Sequence, residues 1–158
     1  MRGLDRAFKK ILVAVAGYAD PATGEADDVL ESVMERNVRY ACDIAKAMKS
    51  KMSLIHVAAV PAAVHPGFPI DPKPFQEAGC KILEEAKKLA RDNGVEAETI
   101  LETSFANTAQ KIIQAAEDGK FDMITISSRG HSLLRNLLMG SVSEVVTRNA
   151  PCTVLVVR

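Results

Sequence analysis

Cysteine and histidine are scarce in this 158-residue chain, with three of each, and neither residue type clusters. The cysteines form no C-x-x-C pair, so their spacing predicts neither a disulfide framework nor a zinc site. We predict reduced, mostly buried thiols in a cytoplasmic protein, because disulfides are rare in that compartment. The scattered positions are Cys42, Cys80, Cys152, His56, His65 and His131.

An excess of one charge and long apolar runs are also missing. Lys plus Arg and Asp plus Glu number 20 each, so the net charge is zero, which predicts neither a nucleic-acid partner nor a charged tail. Apolar residues make up 47% of the chain in short blocks, none near the roughly 18 consecutive residues that a membrane helix needs. The charged segment Met1–Lys10 lacks the apolar middle of a signal peptide. We therefore expect no membrane contact.

The chain does contain an alternation of short apolar runs and segments with helical spacing. Several runs are apolar on consecutive residues, as in parallel strands covered on both faces. The segments between them carry apolar residues every three or four positions and predict helices that pack on a sheet. We predict a single-domain α/β fold with a doubly wound parallel sheet. The predicted strands are Ile11–Ala16, Ser53–Val60, Glu98–Leu101, Met123–Ile126 and Thr153–Val157, and the helical stripes are Leu30–Met48, Phe75–Leu89, Ala109–Ala116 and Val142–Val146.

Several single residues carry further structural predictions. Asn93-Gly94 and Gly119 predict the ends of the second and third helices. Ser104 and Asn107 predict caps at the start of the third helix. His56 lies in an apolar strand, which favours a hydrogen-bonded core histidine over a ligand.

A glycine- and serine-rich constellation follows the fourth predicted strand. It begins as Ser127-Ser128-Arg129-Gly130 and, after nine further residues, continues as Gly140-Ser141-Val142-Ser143-Glu144. Ser141-x-x-Glu144 predicts a capping box, in which Ser141 caps the last helix and Glu144 reaches back. Glycine lets a ligand approach the backbone, and the free N–H groups of a first helical turn attract anions.

This constellation predicts a site for a phosphorylated small molecule, with ATP the first candidate. In doubly wound sheets ligands bind beyond the carboxyl ends of the strands, where the strand order reverses. The chain has neither a P-loop nor a G-x-G-x-x-G motif, so it resembles neither of those nucleotide-binding classes. Gly140 and the capping box alone would also fit an ordinary helix start.

These residues resemble the universal stress protein family, whose ATP-binding branch carries G-x2-G-x9-G-[ST] after its fourth strand. Gly130, Gly140 and Ser141 match at the right separation, with Ser127 in place of the first glycine. Asn149–Val157 resembles the closing strand of the family, and Ser53–Val57 resembles its second strand. The resemblance covers nearly the whole chain. It implies one domain over residues 1–158, with a five-stranded parallel sheet of the adenine nucleotide alpha hydrolase-like type in the order 3-2-1-4-5.

The resemblance also implies a nucleotide site and its ligand, ATP with Mg²⁺. A phosphate cradle would form at the start of the last helix, the adenine would lie between two apolar side chains, and the end of the first strand would form the floor of the nucleoside pocket. The cradle residues would be Gly130, Gly140, Ser141, Val142 and Ser143, with Ser127 and Arg129 beside them. The adenine would lie beside Val57 and Ile126, and the floor would be formed by Ala14 to Ala16.

Two departures from the family pattern bear on the ligand. ATP-binding members usually end the first strand with an aspartate that holds the nucleoside, and this chain has Ala16 there. A hydrogen bond to a charged group is worth about 1.5–3 kcal/mol, so its loss predicts roughly ten- to a hundredfold weaker binding or relaxed base selectivity. At Ser127, the Cβ would crowd the ligand or the hydroxyl would donate to phosphate, and the sequence leaves both readings open.

No catalytic set is recognisable in the sequence. A dedicated hydrolase needs carboxylates that hold a metal and orient water, and Asp122 opens the fourth strand on the far side from the cradle. We expect a sensor or regulatory module that is not an enzyme and is read by an unknown protein partner. The alternatives are an interaction module of the same fold that binds no ATP, favoured by Ala16, and a slow ATPase.

The last strand and two long loops complete the predictions. Thr153–Val157 should lie at a sheet edge, whose unpaired groups invite another strand, and the resemblance implies a homodimer joined there. The loops 17–28 and 59–74 leave the carboxyl ends of strands and are either lids over the site or disordered segments.

Overall fold

The computed structural model describes residues 8–17, 28–61, 67–128 and 140–158. Strands and helices alternate strictly through these ranges. Their bounds are β1 Lys10–Ala14, α1 Asp28–Met48, β2 Lys51–Ala59, α2 Lys73–Asp92, β3 Ala97–Ser104, α3 Thr108–Asp118, β4 Met123–Ser127, α4 Ser141–Asn149 and β5 Thr153–Val157.

The strands form one five-stranded sheet in the order β3-β2-β1-β4-β5, and every pairing is parallel. The predicted fold class and strand order are therefore confirmed. The strand order reverses between β1 and β4, since the chain builds outward from β1 to β3 and then returns to the other side of β1. This switch point is where doubly wound sheets bind ligands.

Helices cover both faces of the sheet. On one face α1 and α2 pack against side chains such as Ile11, Val13 and Leu54. On the other face α3 and α4 pack against Leu12 and Ile124. Consecutive residues of β1 therefore point into opposite halves of the core, which explains why its apolar residues do not alternate with polar ones.

The strand bounds differ from prediction by two or more residues in β1, β2 and β3. β2 begins at Lys51 instead of Ser53. β3 continues to Ser104 instead of ending at Leu101, because its last residues still pair with the end of β2 up to Ala59. These last residues are polar, and β3 is an edge strand whose side chains are largely half-buried. β1 ends at Ala14, two residues before the predicted Ala16.

The predicted ends of α2 and α3 and the predicted caps at the start of α3 are confirmed. Asn93 and Gly119 are the C-caps of α2 and α3. The side chain of Asn107 accepts a hydrogen bond from the Gln110 amide at 3.1 Å and caps α3. The Ser104 hydroxyl supports this turn by accepting from the Asn107 amide at 2.8 Å.

All three cysteines are free, as predicted, but the prediction of mostly buried thiols was wrong. Cys42 is buried, Cys152 is half-buried and Cys80 is exposed on α2. Burial raises the pKa of the Cys42 thiol, although the Lys46 ammonium offsets part of the rise. Burial and the Asp122 carboxylate raise the pKa of Cys152. Both thiols are thereby kept in their unreactive neutral form.

Two features of the described residues bear on the expected partners. None of the helices there has both the length and the apolar content that crossing a membrane demands. The same residues bring together no group of three or more His, Cys, Asp or Glu side chains suited to a metal ion.

Candidate functional site

The switch point begins where the pairing of β1 with β4 stops, at Val13 and Thr125. β1 follows β2 slightly further, to the pair of Ala14 with Ile55. The Val15 amide then donates to the Ile55 carbonyl at 2.8 Å. The residues from Ala14 onward, predicted to form the floor of the nucleoside pocket, thus leave the β4 side of the sheet at its carboxyl edge.

Side chains hold the carbonyl groups at the end of β1. Asn37 of α1 donates from Nδ2 to the Ala14 carbonyl at 3.0 Å. His56 of β2 donates from Nδ1 to the Val15 carbonyl at 3.0 Å, and its ring is buried. His56 is therefore the hydrogen-bonded core histidine that the sequence predicts. Because each carbonyl has a partner, the strand end keeps a defined path outside the sheet ladder.

The end of β4 is tied to α1 and to β5. Ser127 is 7% exposed and its hydroxyl donates to the Val33 carbonyl of α1 at 3.4 Å. The sequence left open whether the Ser127 Cβ would crowd the ligand or the hydroxyl would donate to phosphate. Donation to phosphate would have to replace the bond to Val33. The Ser128 amide donates to the Val157 carbonyl at 2.8 Å, which continues the β4–β5 pairing by one residue.

The start of α4 differs from the predicted capping box. The N-cap is Gly140 in an extended conformation (φ −73°, ψ 160°), and Ser141 is the first helical residue. The hydroxyl that contacts the cap is that of Ser143, which donates to the Gly140 carbonyl at 2.9 Å. The Glu144 carboxylate pairs with Arg148 at 2.9 Å. The predicted capping box was wrong because the N-cap lies one residue earlier. Gly140 has no side chain that could accept from an amide of the first helical turn, and the third helical position is Ser143, not Glu144.

The backbone amides at this helix start are of two kinds. The Gly140 amide donates to the Ser128 carbonyl at 2.7 Å, so it is engaged inside the protein. We call the N–H groups of Ser141, Val142 and Ser143 the first-turn amides. Within the described ranges no acceptor bonds to these amides, as expected at the start of a helix. Three donors at the positive end of the helix dipole suit an anion.

Four of the predicted site residues belong to one apolar cluster on the α3–α4 face of the sheet. Ala14, Val57 and Ile126 are buried there, and the half-buried Val142 of α4 packs against the same cluster. The cluster joins residues at the ends of β1, β2 and β4 and a residue of the first turn of α4 in one apolar layer. The first-turn amides therefore lie on the face of the sheet that this cluster covers.

The remaining predicted residues divide into two groups. Ala16 is half-buried immediately beyond β1. Arg129 and Gly130 lie outside the described residues, as do most of the loop 17–28 and the centre of the loop 59–74. Asp122 lies at the opposite edge, where its carboxylate accepts from the Lys9 and Lys10 amides at 2.8 Å, so it is far from the cradle as predicted.

Asn37 is the residue of this site that the sequence reasoning missed. Its only signal is an amide side chain in the otherwise apolar stripe of α1. A stripe of this kind packs on a sheet, so a polar member is expected to meet a backbone group there. The pattern cannot say which carbonyl it meets.

An open groove of about 810 Å³ lies at the amino edge of the sheet, away from the first-turn amides. Its lining includes Lys10, Glu98, Glu102, Asp118 and Phe121. Lys10 already donates to the Gly119 carbonyl and lies 4.7 Å from the centre of the Phe121 ring. Charges of both signs line this groove, which gives it no clear preference for an anion.

Sequence comparison links the chain to proteins of one family. Residues 7–158 match the sequence model of the universal stress protein family. The chain is similar to universal stress protein YxiE from Bacillus subtilis, with 32% identity over 96% of this chain and 99% of the relative. A universal stress protein from Methanocaldococcus jannaschii is also 32% identical, over 100% of this chain and 86% of its own.

Solved structures of universal stress proteins have a similar fold. UspA from Lactobacillus plantarum gives a TM-score of 0.70 at 19% identity, over 96% of this chain and 98% of that one. A protein from Archaeoglobus fulgidus in complex with dAMP gives 0.63 at 23% identity, over 96% and 99%. One from Arabidopsis thaliana with AMP bound gives 0.59 at 19% identity, over 94% and 90%.

Proposed function

The chain belongs to the universal stress protein family, and we propose that it binds an adenine nucleotide at the carboxyl edge of its sheet as a regulatory module. The observation that carries the proposal is the position of the first-turn amides beside the apolar cluster of Ala14, Val57 and Ile126. Phosphate oxygens suit the amides, and an adenine ring suits apolar surroundings. The solved relatives with dAMP and AMP support this class of ligand.

ATP with Mg²⁺ is the first nucleotide to test. The described residues at the start of α4 offer amides and small hydroxyls, which fit phosphate oxygens better than they fit a bare metal ion. The nearby Glu144 carboxylate is already paired with Arg148. Mg²⁺ would therefore be held by the phosphates and by water, as is common for this ion, and would neutralise part of their charge.

A regulatory role fits the site better than catalysis. Hydrolysis of a phosphate ester needs a carboxylate or similar group to orient water beside the phosphates. The Asp122 carboxylate instead holds the amino end of β1. In our proposal the bound nucleotide shifts the population of conformations around the site, and a protein partner reads that state.

The proposal extends to assembly and location. β5 is an edge strand, as predicted, and its Val154 and Val156 are half-buried. A second copy pairing with β5 would close this edge and bury both side chains further. A cytoplasmic location belongs to the same proposal, since a module that reads adenine nucleotides meets them there.

Removing one first-turn amide tests the phosphate cradle. Proline is tolerated at the first position of a helix, and the extended Gly140 before it has the conformation that proline requires. We expect Ser141→Pro to keep the fold and to weaken ATP binding about tenfold or more, since a hydrogen bond to a charged group is worth about 1.5–3 kcal/mol. Isothermal titration calorimetry with ATP, ADP and AMP, with and without Mg²⁺, measures the effect.

Ser141→Ala is the matched control, because it removes the hydroxyl and keeps the amide. Its affinity should stay within a few-fold of the natural protein. Equal affinities for Ser141→Pro and Ser141→Ala would contradict the cradle. A wild-type protein that gives no heat and no thermal shift with millimolar nucleotide would contradict nucleotide binding altogether.

The second candidate is an interaction module that binds no nucleotide. Two observations favour it: the alanine at position 16, just beyond β1, and the engagement of the Gly140 amide with Ser128. This candidate predicts a stable dimer whose unfolding midpoint does not move with ATP, whereas ligand at a hundred times its dissociation constant adds about 2.7 kcal/mol of stability.

A further inference from the structure

Asn37 bridges the ends of β1 and β4 at the switch point. The β1–β4 ladder stops at Val13 and Thr125. The Nδ2 atom of Asn37 lies 3.0 Å from the Ala14 carbonyl oxygen and 3.4 Å from the Thr125 carbonyl oxygen. An amide NH₂ group has two hydrogens and can donate to both. One side chain of α1 thus spans the ends of two strands.

Stability alone does not account for an amide at this position. Asn37 is 1% exposed and lies in a stripe whose other members are apolar. Within the described part of the chain, its Oδ1 and the Thr125 hydroxyl have no hydrogen-bond partner. Burying unpartnered polar atoms is unfavourable, and departures of this kind from simple core packing concentrate at functional sites.

Side chains and carbonyls of α1 contact the ends of both β1 and β4, which border the candidate site. The Ala14 carbonyl immediately precedes Val15 and Ala16, and the Thr125 carbonyl immediately precedes Ile126 and Ser127. One turn earlier on α1, the Val33 carbonyl accepts from the Ser127 hydroxyl. Two successive turns of the helix are therefore bonded to the strand ends between which the nucleoside would lie.

We propose that Asn37 is a positioning residue for the nucleotide site, because its buried amide sets the spacing between the ends of β1 and β4. This inference rests on the proposed function. Asn37 acts through the strand ends and need not touch the ligand. When the ends of β1 and β4 are held at a fixed separation before the ligand binds, less free energy is needed to order the site on binding.

Substitution of Asn37 should weaken nucleotide binding in a protein that still folds. Asn37→Ala removes the side-chain donor to the Ala14 and Thr125 carbonyls, and Asn37→Asp keeps the size but presents carboxylate oxygens that cannot donate. We expect the dissociation constant for ATP to rise about tenfold in both variants, measured by calorimetry where circular dichroism shows the native fold. Val38→Ala is the control, because it opens a cavity at the neighbouring buried position of α1 and removes no hydrogen bond to the strand ends. Its dissociation constant should stay within about twofold of the natural value.

Hydrogen exchange on the nucleotide-free protein provides a second readout. In Asn37→Ala the amides of residues 14–17 and 126–128 should exchange several-fold faster, while those in the centre of β2 keep their rates. A uniform rise across the sheet, or an unchanged dissociation constant in folded Asn37→Ala, would overturn the inference. If the natural protein binds no adenine nucleotide, the proposed function fails, and the exchange rates still decide whether Asn37 sets the strand ends.

Discussion

At the scale of single residues, the segment at the end of β1 lacks the expected aspartate side chain, but two other side chains bond to its backbone. Ala16 stands where the resemblance implies an aspartate, while Asn37 and His56 hold the carbonyls of Ala14 and Val15 from either side. The backbone under the proposed nucleoside is therefore well fixed, although it lacks an acceptor side chain for the ligand. We therefore expect the absence of the aspartate to lower the affinity of the protein for the nucleotide.

Restoring the carboxylate tests this account of Ala16. Ala16 is half-buried just beyond the strand, so a longer side chain can reach the ligand space without entering the core. We expect Ala16→Asp to tighten adenosine nucleotide binding by roughly ten- to a hundredfold, through a hydrogen bond of about 1.5–3 kcal/mol to the nucleoside. Calorimetric titration with ATP measures the change.

Ala16→Leu serves as the control, because it adds comparable bulk without an acceptor and should not tighten binding. If Ala16→Asp binds no more tightly than the natural protein, the nucleoside does not lie over the end of β1, and the assignment of the floor residues is wrong.

At the scale of elements, α2 approaches the sheet closely at Gly79. A Cβ at this position would lie 2.8 Å from the Leu101 Cδ1 atom and 2.9 Å from the His56 Cδ2 atom, both shorter than real contacts. Glycine inside a helix is unfavourable by about 1 kcal/mol relative to alanine. Its presence is explained by the packing of α2 against β2 and β3, since a larger residue would displace His56, which holds the end of β1.

Gly79→Ala should consequently destabilise the protein despite the better helix propensity of alanine. Overpacking a core contact costs about 1–3 kcal/mol, so after the gain in propensity we expect a net loss of about 1 kcal/mol in the free energy of unfolding. Urea denaturation followed by circular dichroism measures it. The exposed neighbour provides the control, since Cys80→Ala should change stability by less than about 0.5 kcal/mol. A Gly79→Ala protein as stable as the natural one would show that α2 does not need this close approach.

At the scale of the whole molecule, the sheet presents two edges of different character. β3 carries Glu98, Thr99 and Glu102, which are typical of an edge protected from further pairing. β5 is short and apolar, with Val154 and Val156 only half-buried. The difference favours β5 as the edge that a second copy covers.

Sedimentation equilibrium tests the dimer. We expect the natural protein to show twice the monomer mass of 17.0 kDa. Val156→Lys should shift it to the monomer, because symmetric pairing brings two like charges together across the two-fold axis. Thr99→Lys places the same charge on the exposed β3 edge and should leave the dimer intact. A monomeric natural protein, or a dimer lost equally in both variants, would contradict pairing through β5.

The architecture was predictable because it follows from patterns that repeat along the chain. Consecutive apolar residues in the strands and three-to-four spacing in the helices dictate a parallel sheet covered on both faces, and the resemblance supplied the strand order. Caps such as Asn107 were predictable for the same reason, since they depend on neighbouring residues alone. The limits of β3 were not, because the pairing of its polar end with Ala59 is a contact between distant parts of the chain.

The sequence by itself determined the layers of the fold and the glycines and serines between the end of β4 and the start of α4, and through its family resemblance it also determined the strand order. Each of these depends on local periodicity or on motif spacing. Only the tertiary structure decided that Gly140 and not Ser141 caps α4, that the Gly140 amide is engaged by Ser128, and that Asn37 bridges β1 and β4. These are hydrogen bonds between segments far apart in sequence, and their geometry exists only once the sheet and its helices have packed together.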